Sequence, residues 1–170
     1  SVNDRVYPQK ADFTFYGGIY RDVELLTVSK AHFDLDHFAG PGIKVTPEVK
    51  GKDANIRVET WANVDGDVKV TLLDAEGNTV AEGKGTDTTL NVADVHFWDG
   101  VADPYLYTVK AELTVDGKVV DEVSTTCGVR YYKFDPDKGF FLNGRPYNLH
   151  GVSRHQDFKG IGNAITKEHH

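Results

Sequence analysis

"YLYTVKAELTVDGKVVDEVSTTC" occupies Tyr105 to Cys127. From Tyr105 to Val115 apolar and polar side chains alternate, the period of a strand with one face inward and one outward. Asp116-Gly117 then interrupts the alternation, a dipeptide that tolerates positive φ and favours a tight hairpin turn. Beyond it the chain resumes in β-branched residues from Val119 to Val129.

The same grammar extends upstream. Asn55–Trp61 alternates in the same way, and Asp65-Gly66 turns into Val68–Leu73. Glu76-Gly77-Asn78 turns into Thr79–Ala81, and Thr88–Val92 reads as a further short strand. No segment carries a helical period. About seven short antiparallel strands within roughly 90 residues predict an all-β, immunoglobulin-like β-sandwich. Cys127 is the only cysteine, which excludes an internal disulfide and the Cys–Trp–Cys pattern of antibody domains. Packing alone must hold this core, with Trp61, Trp98, Leu106 and Val109 as candidate members. In its strand-like run, Cys127 is expected as a buried, inert thiol rather than a nucleophile.

The chain has 170 residues, 39% hydrophobic and 26% charged, enough for one core plus attachments. Its net charge of −7 comes from 26 acidic and 19 basic residues spread without a Lys/Arg cluster. That distribution argues against nucleic acid as the main partner. No apolar run reaches about 18 residues, so no membrane-spanning helix is expected. Ser1 and the absence of methionine read as an excised piece of a longer chain. The compartment is therefore left open, the bacterial cytoplasm and periplasm both fitting. Glu168-His169-His170 reads as a tag remnant and enters no metal argument.

Both ends break the sandwich pattern. Near the start, Gly17-Gly18 kinks into an apolar strand, Ile19–Leu26, whose only upstream partner is Val6-Tyr7. At the other end, "GFFLNGRPYNLHGVSRHQD" spans residues 139 to 157. Asn143-Gly144 is a hairpin signal. Leu149–Val152 is a short apolar run, and the polar residues Ser153 to Asp157 after it do not suit a core.

Three stretches carry a family resemblance. "ADFTFYGGIYRDVELL" (11 to 26) resembles the end of the sugar-binding jelly-roll domain of family 2 glycoside hydrolases, the β-galactosidase and β-glucuronidase family. "VHFWDGVADPYLYTVKAEL" (95 to 113) resembles part of their immunoglobulin-like domain, and the 139 to 157 stretch resembles the entry to their TIM-barrel catalytic domain. The first and last look more like the β-galactosidase branch. The resemblance implies three parts: residues 1–29 as the end of the jelly roll, 30–132 as the sandwich, and 133–170 as the barrel entry. The sandwich would be a scaffold packed against both neighbours in the same polypeptide, and an oligomeric enzyme is compatible with this.

The resemblance also implies site residues. Leu149–Val152 would be the first barrel strand, and active sites of such barrels gather at the C-terminal ends of the strands. Arg154 and His155 match an Arg-His pair that shapes the pocket for the terminal sugar, here a β-galactoside. Read from the residues alone, the pair fits a structural salt-bridge network. Asp12 falls where a jelly-roll aspartate reaches sugar hydroxyls and a bound sodium, roles that suit a carboxylate. Alone it reads as a surface aspartate. Arg21-Asp22 is expected as a structural ion pair. The chain departs from well-known members at His150, where they carry Arg, and from some of them at Ser153 and Gln156.

Retaining glycosidases use two carboxyl groups about 5–5.5 Å apart. Glu59, Glu76, Glu82, Glu112 and Glu122 are placed at turns or on outward strand positions, so no catalytic pair is expected here. By the resemblance both carboxylates lie beyond residue 170. This chain is therefore expected to be inactive by itself and to need no cofactor, while the whole enzyme carries magnesium and sodium ions. The alternatives are a β-glucuronidase-type parent and a stand-alone carbohydrate-binding or adhesion sandwich. The last requires coplanar exposed aromatics on one sheet face.

Overall fold

A computed structural model describes residues 16–37, 40–154 and 156–169. Asp12, His155 and Val6-Tyr7 lie outside them. The chain divides into two compact units. The larger runs from Thr27 to Leu149; the smaller joins the segment ending at Leu26 to the segment starting at His150.

The larger unit is the sandwich. Its first sheet has the order β1-β2-β5, from Ile43–Lys50, Asp53–Thr60 and Asp87–Val92. The second has the order β4-β3-β6-β7, from Thr79–Lys84, Asp67–Leu73, Tyr107–Val115 and Lys118–Cys127. A small third sheet, β10-β9-β8, uses Arg145–Pro146, Gly139–Leu142 and Tyr132–Asp135. All these ladders are antiparallel. The period-2 reading holds residue by residue. On β6, Tyr107, Val109, Ala111 and Leu113 are buried while Thr108, Lys110 and Glu112 are not. Opposite them in register on β3 stand Leu72 (to Val109), Val70 (to Ala111) and Val68 (to Leu113). The first sheet supplies Ile56 paired with Leu90 and Ala54 paired with Val92. Each fully buried aliphatic side chain contributes about 1.5–3 kcal/mol relative to exposure.

The turns follow the sequence. Asp116 and Gly117 take φ of 51° and 74°, and Asn143 and Gly144 take 49° and 79°, the paired positive values of a two-residue hairpin turn. In the β3–β4 turn, Asp74 accepts hydrogen bonds from the Asn78 N–H at 2.7 Å and the Glu76 N–H at 3.0 Å.

Several expectations are corrected. Of the four candidate core residues only Val109 is fully inside; Leu106 is 42% exposed, and Trp61 and Trp98 are half-buried. Leu106 has the wrong parity, since the inward positions of β6 are odd-numbered. Trp61 stacks on the His37 ring at 3.7 Å, and Trp98 lies under the Arg130 guanidinium at 4.8 Å. Strand β1 was not predicted. It contains Pro47, which breaks a strand signal, and it is tolerated because β1 is an edge of its sheet. The turn expected at Asp65-Gly66 is instead a bend at Asn63-Val64, and it carries the chain between sheets, since β2 pairs with β1 and β5, and β3 with β4 and β6.

In the smaller unit no ladder forms over Ile19–Leu26, and Ile19, Val23 and Leu25 are 84%, 77% and 95% exposed. Arg21 does not pair with Asp22 as expected. Its guanidinium instead donates to the Asn163 carbonyl and, at 2.9 Å, to the Tyr20 carbonyl. A tight loop closes where the Phe158 N–H donates to the Gly162 carbonyl at 3.0 Å and the Gly162 N–H returns to the Phe158 carbonyl at 2.9 Å.

Candidate functional site

The candidate site is the end of the 139–157 stretch, and its geometry starts where the hairpin β9–β10 meets the sandwich. Asn143 occupies the turn because its φ is positive, and its side chain then does a second job. Its Oδ1 accepts the Tyr131 N–H at 3.2 Å, and its Nδ2 donates to the Trp98 carbonyl at 3.0 Å. The Asn143 N–H also donates to the Tyr131 carbonyl at 2.9 Å. Arg145, two residues on, forms an ion pair with Asp99. The loop that receives them, Trp98–Gly100, is shaped for close approach. Gly100 is buried at φ 66°, and a Cβ there would lie 2.5 Å from the Tyr147 hydroxyl. The Tyr147 N–H in turn donates to the Phe140 carbonyl at 3.0 Å. Sequence reading identified Asn143 only as a turn residue; Asp99, Arg145 and Tyr147 were not singled out. The WDG stretch with its glycine was the available signal.

Beside this contact lies an open depression of about 300 Å³ lined by His96, Phe97, Asp99, Asp103, Asn143 and Arg145. The His96 ring stacks on Tyr105 at 3.8 Å, and its Nε2 lies 2.7 Å from Asp103 Oδ2. The His96 N–H donates to the Tyr107 hydroxyl at 2.9 Å, and burial raises the pKa of that phenol. These polar groups satisfy one another and hold loop to strand. Cys127 is buried, as expected, and desolvation pushes its thiol up to about 11.

The anchored hairpin fixes where the chain leaves the sandwich, after Tyr147. Leu149–Val152 forms no ladder, Leu149 being 65% and Val152 93% exposed. Of the three predicted sugar-site residues, Arg154 is exposed, while Asp12 and His155 lie outside the described residues. The glutamates read as non-catalytic are mostly in surface ion pairs. Glu59 meets Lys44 at 3.4 Å, Glu82 meets Lys69 at 2.6 Å, and Glu122 meets Lys110 at 2.7 Å. Among the described residues no group of three or more His, Cys, Asp or Glu is placed to hold a metal ion. No helix among them is long and apolar enough to cross a membrane.

The family model for glycosyl hydrolases family 2 matches residues 37–130, more than half of the chain. The chain belongs to glycosyl hydrolases family 2. Within the family it is 37% identical to a β-glucuronidase of Bacteroides fragilis over 97% of its own length, and 31% identical to the β-galactosidase BoGH2A of Bacteroides ovatus over 88%. It covers 26% and 19% of those relatives, so it spans only about a quarter and a fifth of their length. Among solved structures, an FMN-binding β-glucuronidase from Facaelibacterium prausnitzii L2-6 superposes with a TM-score of 0.86. That match has 42% identity and covers 96% of this chain and 26% of that one. A β-galactosidase-like structure from Bacteroides fragilis, described as putative, gives a TM-score of 0.76 at 34% identity, over 84% of this chain and 24% of that one. The fold found here, an immunoglobulin-like sandwich whose regular elements among the described residues are β-strands apart from one short 3-10 helix, agrees with this family membership.

Proposed function

We propose that this chain is the scaffold segment of a retaining exo-glycosidase that removes a terminal β-linked sugar, with β-glucuronides as the first substrate class. The supporting observation is the similarity to β-glucuronidases, at 37% identity in sequence and 42% with a TM-score of 0.86 in structure. In this reading the segments before residue 30 and after residue 132 belong to a sugar-binding domain and a catalytic barrel, and the sandwich holds the two in register. Asp12, Arg154 and His155 contribute to the sugar pocket of the whole enzyme. Sodium on Asp12, and magnesium elsewhere, belong to that whole enzyme too. The chemistry comes from two carboxylates outside this chain.

A β-galactoside is the second reading. It is favoured by the resemblance of the 11–26 and 139–157 stretches to the β-galactosidase branch, and by the relatives named β-galactosidase. The deciding experiment is kcat/KM of the full-length enzyme on nitrophenyl β-glucuronide and nitrophenyl β-galactoside, with this chain alone as a control. The larger kcat/KM assigns the substrate class. Hydrolysis of neither glycoside, or turnover by this chain that follows the protein through repurification, sinks the proposal.

A further inference from the structure

Asn143-Gly144 is the one Asn-Gly dipeptide in the chain. Asparagine is thermally labile, and most so before glycine. The following backbone nitrogen attacks the side-chain amide, and glycine puts no side chain in its way. Here the structure requires both members of the pair. Both take positive φ, 49° and 79°. Asn143 engages its amide twice, with the Tyr131 N–H at 3.2 Å and the Trp98 carbonyl at 3.0 Å. A Cβ on Gly144 would lie 2.8 Å from the Tyr131 hydroxyl, at a φ that L side chains rarely adopt. The most reactive dipeptide for this chemistry is thus fixed in place by packing and turn geometry.

The same contact restrains the reaction. Ring closure needs Asn143 Cγ on the Gly144 nitrogen. Both polar atoms of the amide are held instead by residues distant in sequence, and they must leave Tyr131 and Trp98 first. We propose that Asn143 is a self-modification site, gated by undocking of the β9–β10 hairpin, whose product cannot dock again. The Gly144 nitrogen gives its proton to solvent base and bonds to Cγ. The Cγ–Nδ2 bond breaks, and Nδ2 leaves as ammonia with a proton from water. One water then opens the succinimide at either carbonyl, giving aspartate or isoaspartate. The net change is asparagine plus water to a carboxyl group plus ammonia, with no oxidant or cofactor. As aspartate, position 143 has no donor for the Trp98 carbonyl. It also turns a charge toward Asp99, whose Oδ1 lies 3.5 Å from Nδ2 and whose other oxygen already pairs with Arg145. As isoaspartate, it adds a methylene to the main chain between Leu142 and Arg145, which are paired in register.

The test needs no substrate and is independent of which glycoside the whole enzyme cleaves. This chain is held at mildly alkaline pH, native and in concentrated urea, and aspartate and isoaspartate at position 143 are followed by peptide mass mapping. The rate follows the population of the undocked form when docking is fast. Two side-chain hydrogen bonds then put the native rate about 5- to 150-fold below the urea rate. Arg145→Gln removes the neighbouring ion pair with Asp99. It is expected to raise the native rate about two- to fivefold and to leave the urea rate unchanged. Converted chains, separated by charge, are expected to unfold at lower urea than unconverted ones. Equal rates in native buffer and urea overturn the gate, and so does an unchanged native rate in Arg145→Gln. A converted chain with an unchanged midpoint overturns the one-way step. No conversion at 143 in urea, or isoaspartate appearing first at Asp65-Gly66, Asp99-Gly100 or Asp116-Gly117, overturns the site itself.

Discussion

Removing the Asn143 side chain tests how the hairpin is held. In Asn143→Gly the backbone keeps its φ of 49° without strain, and the N–H still reaches the Tyr131 carbonyl. What is lost is the pair of side-chain bonds to the Tyr131 N–H at 3.2 Å and the Trp98 carbonyl at 3.0 Å. A net value of about 0.5–1.5 kcal/mol for each bond puts the loss at about 1–3 kcal/mol. Asn143→Ala loses the same bonds and keeps in the left-handed region the Cβ that glycine lacks, so it should cost about 1 kcal/mol more than Asn143→Gly. Asn143→Asp keeps an acceptor for Tyr131 but turns a carboxylate toward the Trp98 carbonyl and toward Asp99, whose Oδ1 is 3.5 Å from Asn143 Nδ2. It should therefore cost more than glycine at neutral pH, with a deficit that shrinks as salt screens the repulsion. The assay is urea unfolding followed by tryptophan fluorescence, reading the midpoint at constant slope. If Asn143→Gly unfolds within about 0.5 kcal/mol of the wild type, the docking role is refuted. If Ala and Gly are equal, the left-handed strain is refuted.

Three further outcomes are expected. Leu72, fully buried opposite Val109, should cost about 2–5 kcal/mol on truncation in Leu72→Ala, measured by the same urea titration. With its thiol pushed up to about 11, Cys127 should react with a thiol reagent at mildly alkaline pH only when the chain is unfolded. Its raised value should also make stability fall as pH rises from about 9 towards 11, a slope that Cys127→Ala removes. The hydrogen bonds from the Asn78 side chain, first, and then from the turn backbone hold Asp74 below the usual carboxylate range. Its contribution is present above that range and lost as pH falls through the lowered value. Asp74→Ala should therefore narrow the difference between midpoints measured at about pH 7 and about pH 3. An unchanged difference would assign the acid sensitivity to other carboxylates.

The strands and turns of the sandwich were legible in the sequence because their causes are local. Period-two alternation puts Tyr107, Val109, Ala111 and Leu113 on one face whatever they pack against, and Asp116-Gly117 and Asn143-Gly144 accept positive φ in any surroundings. The family was legible for a related reason, since short motifs keep their order in the chain. What the tertiary structure decided is non-local. Pro47 hides β1 from a pattern search, and only its edge position, with β2 on one side, makes it a strand. Tryptophan size pointed to the core, yet Trp98 is needed at the rim, where its carbonyl receives Asn143 and its ring receives Arg130. Ile19–Leu26 and Leu149–Val152 have strand composition but no ladder, because a strand is completed by hydrogen bonds to a neighbour and neither finds one among the described residues. The sugar-site candidates belong to the same class. Asp12 is far in sequence from the adjacent Arg154 and His155, and all three rest on a resemblance, since a pocket exists only where distant segments are brought together and held.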